Sequence, residues 1–535
     1  MAPPKLYLRQ NVLVEPLFNQ WYAWPYLISP ATAAMHVANS HLKIMRSFIA
    51  APQTHVVAQK NPALRGGPFI NYGPSRVGDI QELLDSTVRK SGRLLELAAA
   101  VEAASRVLLD EARGNSLEAL YGRLPEALGG YVELVYDLND SPSIRLIEGL
   151  LYRSPYYDES AQSMALSLVH RDERPFALST PCLRDEGRVF VQLPFRSEVY
   201  DELFAMKYTP QPLEYIQKAL GVGGDDRELF STFFTEAEPP PPPPRYDGEG
   251  VRVRYFGHAC VLIESAQTSV LVDPLVSYKY DAPVFRYTYA DLPDSIDYVL
   301  ITHNHQDHCM LETLLQLRHR VGSVLVPKNN GGGLADPSLK LMLQSVGFRQ
   351  VRELDEMEAA AVADGEIVGL PFLGEHADLN IRSKLAYRVT LRGRTVLCAA
   401  DSNNLDPRLY DHAREALGDA DVIFLGMECD GGPMSWLYGP LVTRPIPRKV
   451  DQARRLNGSN YERGIGLVSR FNPQQVYVYA MGQEPWLTYL TSIEYTEQSR
   501  PIVDSGRLVE DCRRRGITSE RLYGHKEITL PARHD

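Results

Sequence analysis

The sequence predicts an α/β protein in which a mainly helical α+β segment precedes a layered α/β fold. Six consecutive prolines, residues 239–244, separate the two parts, and such a run favours the stiff polyproline II conformation of a linker. Before it, apolar residues across 78–114 recur at steps of three and four, which is the spacing of helices. After it, short apolar strands alternate with helix-like segments, which is typical of layered α/β architecture.

These signals divide the chain of 535 residues into three parts. We predict an N-terminal domain over residues 1–235, a proline-rich linker over 236–249 and a second domain over 250–535. A chain of this length is too long for one compact core, so more than one domain is expected.

The amino-acid composition argues against several classes of protein function. Apolar residues make up 44% of the chain and charged residues 23%, values that are ordinary for a globular protein. A net charge of −11 argues against binding nucleic acid, which requires an excess of Lys and Arg. The six cysteines form no CxxC pair, and the sequence shows neither a signal peptide nor a membrane span. We therefore expect a cytoplasmic protein with buried thiols.

The N-terminal part shows no catalytic constellation. An aromatic cluster near its start is expected to pack in a core, and residues 187–194 are expected to form a strand. In the C-terminal part, strands are predicted at 251–256, 259–264, 269–273, 297–302, 323–327, 395–400, 421–425 and 475–479.

The strongest chemical feature follows the strand predicted at 297–302. Four potential ligands fall within six residues, namely His303, His305, Asp307 and His308. They cannot all project the same way from a helix or strand, so we expect a loop that wraps around metal. Imidazole and carboxylate groups hold zinc, iron or manganese. We expect the first two histidines to face one ion, and Asp307 with His308 to face a second.

This HxHxDH loop after a buried strand resembles the metallo-β-lactamase superfamily, whose fold is an αββα sandwich. The resemblance covers about residues 250–530. It implies that Asp273 braces the histidine loop by hydrogen bonds without binding metal. It also implies that Asp401, at the end of a strand, is a ligand that bridges two metals.

Two departures from the hydrolases of that superfamily bear on the chemistry. Where the hydrolases place a third histidine, this chain has Glu375 followed by His376, and either side chain can bind because neighbours in an extended segment point apart. The late histidine of the hydrolases is missing at the comparable strand, which leaves His525 as a late candidate. With Glu375 as the ligand, the set has three imidazoles and three carboxylates, which favours non-haem iron with open positions over a closed zinc site.

These departures, with the separate N-terminal domain, resemble the diiron β-hydroxylases of chloramphenicol biosynthesis. The resemblance implies a monooxygenase that uses O2 to hydroxylate the β-carbon of an amino acid tethered to a peptidyl carrier domain of a nonribosomal peptide synthetase. It implies two Fe ions bridged by carboxylate: His303, His305 and Glu375 on one, Asp307 and His308 on the other, and Asp401 between them. We expect Glu375 and Asp401 to be the catalytic residues.

The resemblance also implies partners. It implies a homodimer whose N-terminal domain covers the active site, and since no flavin or nicotinamide motif is visible, a separate reductase is expected to supply electrons. Docking of an acidic carrier requires a basic patch, for which the candidates are Arg444, Arg448, Lys449, Arg454 and Arg455. The alternative explanation of this basic run is a solvated helix face. The alternatives are a lactonase-like dinuclear zinc or manganese hydrolase with His376 as ligand, and a scaffold protein with a structural metal.

Overall fold

The N-terminal part of the protein mixes helices with small sheets, and the structure, a computed structural model, describes residues 4–533. Strands β1–β9 are Lys5–Leu8, Val12–Phe18, Trp21–Tyr22, Val132–Tyr136, Pro142–Leu146, Gln162–Leu168, Val189–Val191, Gln211–Pro212 and Phe234–Thr235. Helices α1–α10 are Pro25–Ile28, Pro30–His36, Leu42–Ala50, Pro52–Lys60, Val77–Lys90, Gly92–Glu111, Glu148–Leu151, Glu198–Ala205, Leu213–Ala219 and Asp226–Ser231. The helical stretch predicted at 78–114 is thus two helices, α5 and α6, which meet at Ser91.

The C-terminal part contains the remaining strands and helices. Strands β10–β23 are Val251–Gly257, Cys260–Glu264, Ser269–Val272, Ile296–Leu300, Val321–Pro327, Val351–Leu354, Ala359–Val362, Gly365–Pro371, Leu385–Leu391, Arg394–Cys398, Val422–Gly426, Gln475–Tyr479, Thr518–Arg521 and Lys526–Leu530. Helices α11–α18 are Leu311–Leu317, Leu339–Ser345, Pro407–Leu417, Met434–Tyr438, Arg448–Ala453, Tyr461–Phe471, Thr488–Thr491 and Arg500–Arg514. Each strand predicted in this part is present.

Two seven-stranded sheets form the centre of the C-terminal part, in the orders β15-β14-β13-β12-β11-β10-β23 and β16-β17-β18-β19-β20-β21-β22. Buried side chains from both sheets pack together between them, among them Val253, Leu300, Tyr387 and Phe424. Helices α13, α16 and α18 cover the outer face of the second sheet, and α11 and α12 pack against the first. The predicted αββα sandwich is confirmed.

The sandwich brings several strand ends to one edge. Strands β12 and β13 run parallel, as do β19, β20 and β21, so within each set the carboxyl ends lie side by side. The loops that follow these strands carry the residues singled out in the sequence. Chain direction therefore gathers residues that are far apart in sequence.

The N-terminal part shares its hydrophobic core with the first layer of the sandwich. One buried cluster joins N-terminal residues such as Trp21, Tyr26 and Phe204 to Val299 of β13 and Leu314 of α11. The aromatic cluster near the N-terminus is buried, as expected. Residues 236–249 carry no helix or strand, and Arg245 forms an ion pair with Asp297. The domain limits at 235 and 250 stay a prediction.

Buried polar groups also join the two parts. Glu312, in the first turn of α11, accepts hydrogen bonds from Tyr22 (2.9 Å), Tyr278 (2.9 Å) and the guanidinium of Arg174 (2.9 and 3.2 Å). Lys207 Nζ donates to Gln316 Oε1 on the same helix at 2.9 Å. A buried carboxylate needs such partners to offset its lost hydration, so α11 depends on N-terminal side chains.

Lys207 gives the folded protein a pH-dependent stability. Burial, with a smaller contribution from Arg320, lowers the pKa of Lys207 to about 7, whereas an unfolded lysine titrates near ~10.4. At a pH between these two pKa values, Lys207 is protonated in the unfolded chain and neutral in the folded protein. This group therefore makes the free energy of unfolding rise with pH. We expect the free energy of unfolding of wild type, relative to that of Lys207→Met, to increase by up to about 1.4 kcal/mol per pH unit. Urea unfolding of both proteins at pH 7, 8 and 9 measures this. A difference that does not change with pH would contradict this assignment.

Candidate metal centre

The His-rich loop is fixed to the neighbouring strand by one carboxylate. Asp273, which directly follows β12, accepts hydrogen bonds from the backbone N–H of Thr302 (2.7 Å) and from its hydroxyl (2.6 Å). The second of these carboxylate oxygens also lies 2.8 Å from His308 Nδ1. Asp273 is fully buried and contacts both ends of the loop, so it sets the path of the loop and the orientation of the His308 ring.

Several turns at this edge adopt the left-handed backbone region. His258, Asp273, Glu375 and Ala400 have φ angles of 51°, 42°, 67° and 48°. Side chains other than glycine adopt this region at a cost, which the surrounding packing must offset. Such positions cluster where a side chain has to be aimed at a functional site.

The first group of potential ligands contains His303, His305, Glu375 and His376, all of them buried. His305 Nδ1 lies 3.1 Å from Glu375 Oε1, and Glu375 Oε2 lies 2.7 Å from His376 Nδ1. The His305 and His376 rings stack with centroids 4.5 Å apart. Four donor side chains thus meet in one small buried volume.

Glu375 and His376 both face this volume, although adjacent side chains of an extended segment are expected to point apart. The expectation of alternation was wrong here because Glu375 is in the left-handed region, and so are Ala377 (φ 53°) and Asp378 (φ 57°). The segment therefore is not extended, and both side chains turn to the same side.

The second group contains His258, Asp307 and His308. His258 Nε2 lies 3.2 Å from Asp307 Oδ2. His258 was not predicted as a site residue. It lies in the turn after β10, and that position alone does not identify it as part of a metal site. The sequence gives no signal that a histidine in that turn contacts Asp307.

Asp401 lies between the two groups. Its Oδ2 atom is 3.0 Å from His308 Nε2 in the second group and 4.0 Å from His303 Nε2 in the first. It follows β19, whose carboxyl end adjoins the site. Asp401 is therefore within reach of histidines from both groups.

The donor atoms fit a metal pair. His303 Nε2, Asp401 Oδ1 and His376 Nε2 are buried without a hydrogen-bond partner. Buried polar atoms are nearly always paired, so unpaired atoms that converge on one volume point to a missing cation. Nitrogen and carboxylate oxygen donors, without thiolate, suit iron.

The protonation states of His303, His376 and Glu375 are those that metal binding requires. Burial lowers the pKa of His303 well below its ordinary value and that of His376 to about 4, so both rings are neutral. Burial alone would raise the pKa of Glu375, but His305 and His376 outweigh it and hold the pKa of that carboxyl well below its ordinary value. Neutral imidazole and ionised carboxylate are the forms that bind metal.

Other candidates from the sequence lie outside these groups. His525 is exposed, and its ring packs against Phe285 at 4.3 Å. Cys309 is a buried thiol whose pKa is raised by burial. Glu428, after β20, accepts a hydrogen bond from Tyr495, and burial raises its pKa to about 7.

Tyr438 was also missed by sequence reasoning. Its hydroxyl lies 2.8 Å from His305 Nε2, and the whole side chain is buried. The N-terminal part holds the segment around it: Tyr26 packs on Tyr438 with ring centroids 6.2 Å apart, and Asn39 donates to the carbonyl of Pro440. No local pattern marks a tyrosine that is more than 130 residues from the histidine it contacts.

A sandwich with two ligand groups and a shared carboxylate defines a dinuclear metalloenzyme of the β-lactamase superfamily. Residues 268–432 match the beta-lactamase superfamily domain, and residues 7–239 match the diiron non-heme beta-hydroxylase N-terminal domain.

The chain is 41% identical, over 98% of its length and 99% of the relative, to the 4-amino-L-phenylalanyl-[CmlP-peptidyl-carrier-protein] 3-hydroxylase of Streptomyces venezuelae. The crystal structure of CmlA, a diiron β-hydroxylase from the same organism, superposes with a TM-score of 0.93 at 40% identity, covering 99% of this chain and 100% of that one. A variant of CmlA superposes with a TM-score of 0.90, also at 40% identity, over 98% of this chain and 100% of that one.

The chain therefore belongs to the diiron non-heme β-hydroxylase family. It is a non-haem diiron oxygenase, and the predicted pair of iron ions is confirmed.

Removing the Asp273 carboxylate charge tests how the loop is held. We expect Asp273→Asn to lower iron affinity by about 10–100-fold, the usual loss when a side chain that orients a ligand is replaced. Iron content after dialysis against a graded series of chelator concentrations measures this. Asp419→Asn, at an exposed carboxyl, is the control and is expected to match wild type. Unchanged iron retention in Asp273→Asn would show that Asp273 does not support the site.

Proposed function

We propose that the protein hydroxylates the β-carbon of an amino acid held as a thioester on a peptidyl carrier domain of a nonribosomal peptide synthetase, in antibiotic biosynthesis. The full-length likeness to a hydroxylase named for a peptidyl-carrier-bound substrate carries this proposal. The intact set of imidazole and carboxylate donors supports it. The side chain of the amino acid is left open.

The irons are assigned to residues in the same proposal. One iron would be held by His303, His305 and Glu375 and the other by Asp307 and His308, and Asp401 would be the ligand shared between them. The unpaired donor atoms of His303 and Asp401, and the 3.1 Å approach of Glu375 to His305, support this assignment.

His258 positions Asp307 instead of binding metal. Its Nδ1 accepts a hydrogen bond from the backbone N–H of Gly482 at 3.2 Å, so the neutral ring carries its proton on Nε2. That nitrogen lies 3.2 Å from Asp307 Oδ2 and donates to it. A hydrogen-bond donor to a carboxylate ligand fixes the orientation of that carboxylate and raises the affinity of the site for metal.

The iron pair, when bound, supplies the redox chemistry: one oxygen atom of O2 enters the C–H bond and the other leaves as water, with two electrons and two protons consumed. The chain itself orients the substrate and excludes water. The side chains of His303 and His308 are fully buried, so these two proposed ligands are shielded from solvent. Tyr438 fixes the His305 ring from the side opposite Glu375.

The electron donor, the oligomer and the compartment are part of the proposal. The reaction consumes two electrons, so we expect a separate reductase, and the homodimer stays a prediction of the family resemblance. Across residues 4–533, no helix is both long and apolar enough to cross a membrane. All six cysteines are unpaired, which supports a reducing, cytoplasmic compartment.

The hydrolase alternative is not favoured. It requires a zinc or manganese pair and a third histidine ligand, whereas the family of this chain is diiron. The presence of His376 in the first ligand group makes a direct comparison with Glu375 worthwhile.

Paired substitutions separate these two side chains. We expect Glu375→Gln to lose one of the two irons and hydroxylation, because an anionic donor is removed, whereas His376→Gln keeps both irons. Iron analysis with Mössbauer spectroscopy measures this. Loss of iron from His376→Gln with full retention in Glu375→Gln would reverse the ligand assignment.

Turnover on defined substrates tests the activity. The diiron enzyme, with O2 and a chemical reductant, is expected to add one hydroxyl group to aminoacyl thioesters on a carrier domain. Mass spectrometry of the carrier arm detects a gain of one oxygen atom, and ¹⁸O2 identifies its source. Release of free amino acid without an added oxygen, in a protein loaded with zinc, would support the hydrolase instead.

A further inference from the structure

A cavity of about 610 Å³ opens beside the metal centre, and the metal assignment does not use it. Its wall is mostly apolar, with Leu334, Leu379, Val442 and Ile446 among the lining residues. The volume falls within the range of ligand sites, roughly 300–1,000 Å³. The segment 434–454, between β20 and α16, supplies most of the wall.

The inner end of the cavity adjoins the ligands proposed above. Tyr438 lines the cavity, and its hydroxyl lies 2.8 Å from His305 Nε2. Arg454 also lines it, and its Nε donates at 2.8 Å to the carbonyl of Ala377, two residues after Glu375. A molecule in this cavity therefore lies next to the loop that carries Glu375.

The side chains that line this cavity carry positive charge that no lining carboxylate balances. Among the described residues that line it none is acidic, and Arg444 and Arg454 are the charged ones. Arg444 is exposed and makes no hydrogen bond or ion pair with another described residue. A second cavity, of about 500 Å³, shares Leu334, Leu441, Thr443 and Arg444 with the first. Arg444 thus stands where the two cavities meet.

We infer that this cavity binds the phosphopantetheine arm of the carrier domain, and that the exposed Arg444 binds its phosphate. This inference rests on the proposed function. The arm is a chain of apolar and amide groups with one phosphodiester at the carrier end and the aminoacyl thioester at the other. An apolar wall with an exposed arginine and no carboxylate complements that distribution of groups. Arg448 and Lys449 lie outside the cavity lining, so they are left to contact the carrier surface.

Binding to carrier with and without the arm tests the assignment. The dissociation constants of the diiron enzyme for holo-carrier, which bears the arm, and apo-carrier, which lacks it, are measured for each variant. We expect wild type to prefer holo-carrier, and Arg444→Gln to reduce that preference by about tenfold or more, as the loss of a charged hydrogen bond implies. Equal binding of both carrier forms by wild type would show that the arm is not recognised.

Controls separate binding of the arm from general charge. Arg448→Gln is expected to weaken both carrier forms equally and keep the preference, whereas Arg408→Gln, exposed on α13, leaves both constants unchanged. Arg454→Gln is compared only after its iron content is measured, because Arg454 also holds the Ala377 carbonyl. Retention of the full preference by Arg444→Gln would overturn the inference.

Small-molecule substrates give a test that needs no carrier. An aminoacyl thioester of phosphopantetheine is expected to show about tenfold higher kcat/KM than the same thioester of pantetheine in wild type, and equal values in Arg444→Gln. If wild type does not distinguish them, Arg444 does not bind phosphate, although the proposed function stands. If wild type hydroxylates no carrier-bound amino acid at all, the proposed function fails with the inference.

Discussion

The contacts of one buried carboxylate, Asp273, determine how the metal centre is built. Asp273 holds the backbone and hydroxyl of Thr302 at the start of the histidine loop and lies against His308 at its end. These contacts fix both ends of the loop, while Tyr438 and His258 hold His305 and Asp307 within it. Asp273 has a left-handed backbone conformation, which directs its carboxylate sideways from the end of the strand and costs conformational free energy. The parallel pairing of β12 and β13 places Asp273 beside the loop in the first place.

The sequence allowed those parts of the site to be predicted whose geometry is local. The HxHxDH loop and Asp401 each directly follow an apolar strand, so their neighbourhood is encoded within a few residues. Glu375 and His376 could not be separated, because the turn they occupy depends on backbone angles that no pattern of residue types reports. His258 and Tyr438 come from distant turns, and only the closed sandwich and its covering segment bring them to Asp307 and His305.

The fold was predictable to a similar extent. Apolar runs mark the strands of the sandwich because both faces of each sheet are buried. The helical spacing over 78–114 marks α5 and α6 but does not show the break between them at Ser91. The relation between the two parts of the chain was not predictable. A proline run suggests separation, whereas the folded chain has a hydrophobic core that continues from the N-terminal helices to α11. Contacts of this kind depend on surface shape, which periodicity does not contain.

The buried carboxylate of Glu312 has a consequence for how such an enzyme can evolve. Its partners Tyr22 and Arg174 come from the N-terminal part, while Glu312 itself belongs to a helix of the sandwich. A recombination event that replaced the N-terminal part alone would remove the guanidinium of Arg174 and leave that buried charge only neutral partners such as Tyr278. A replacement domain is therefore expected to be tolerated only if it supplies a cation at the same place.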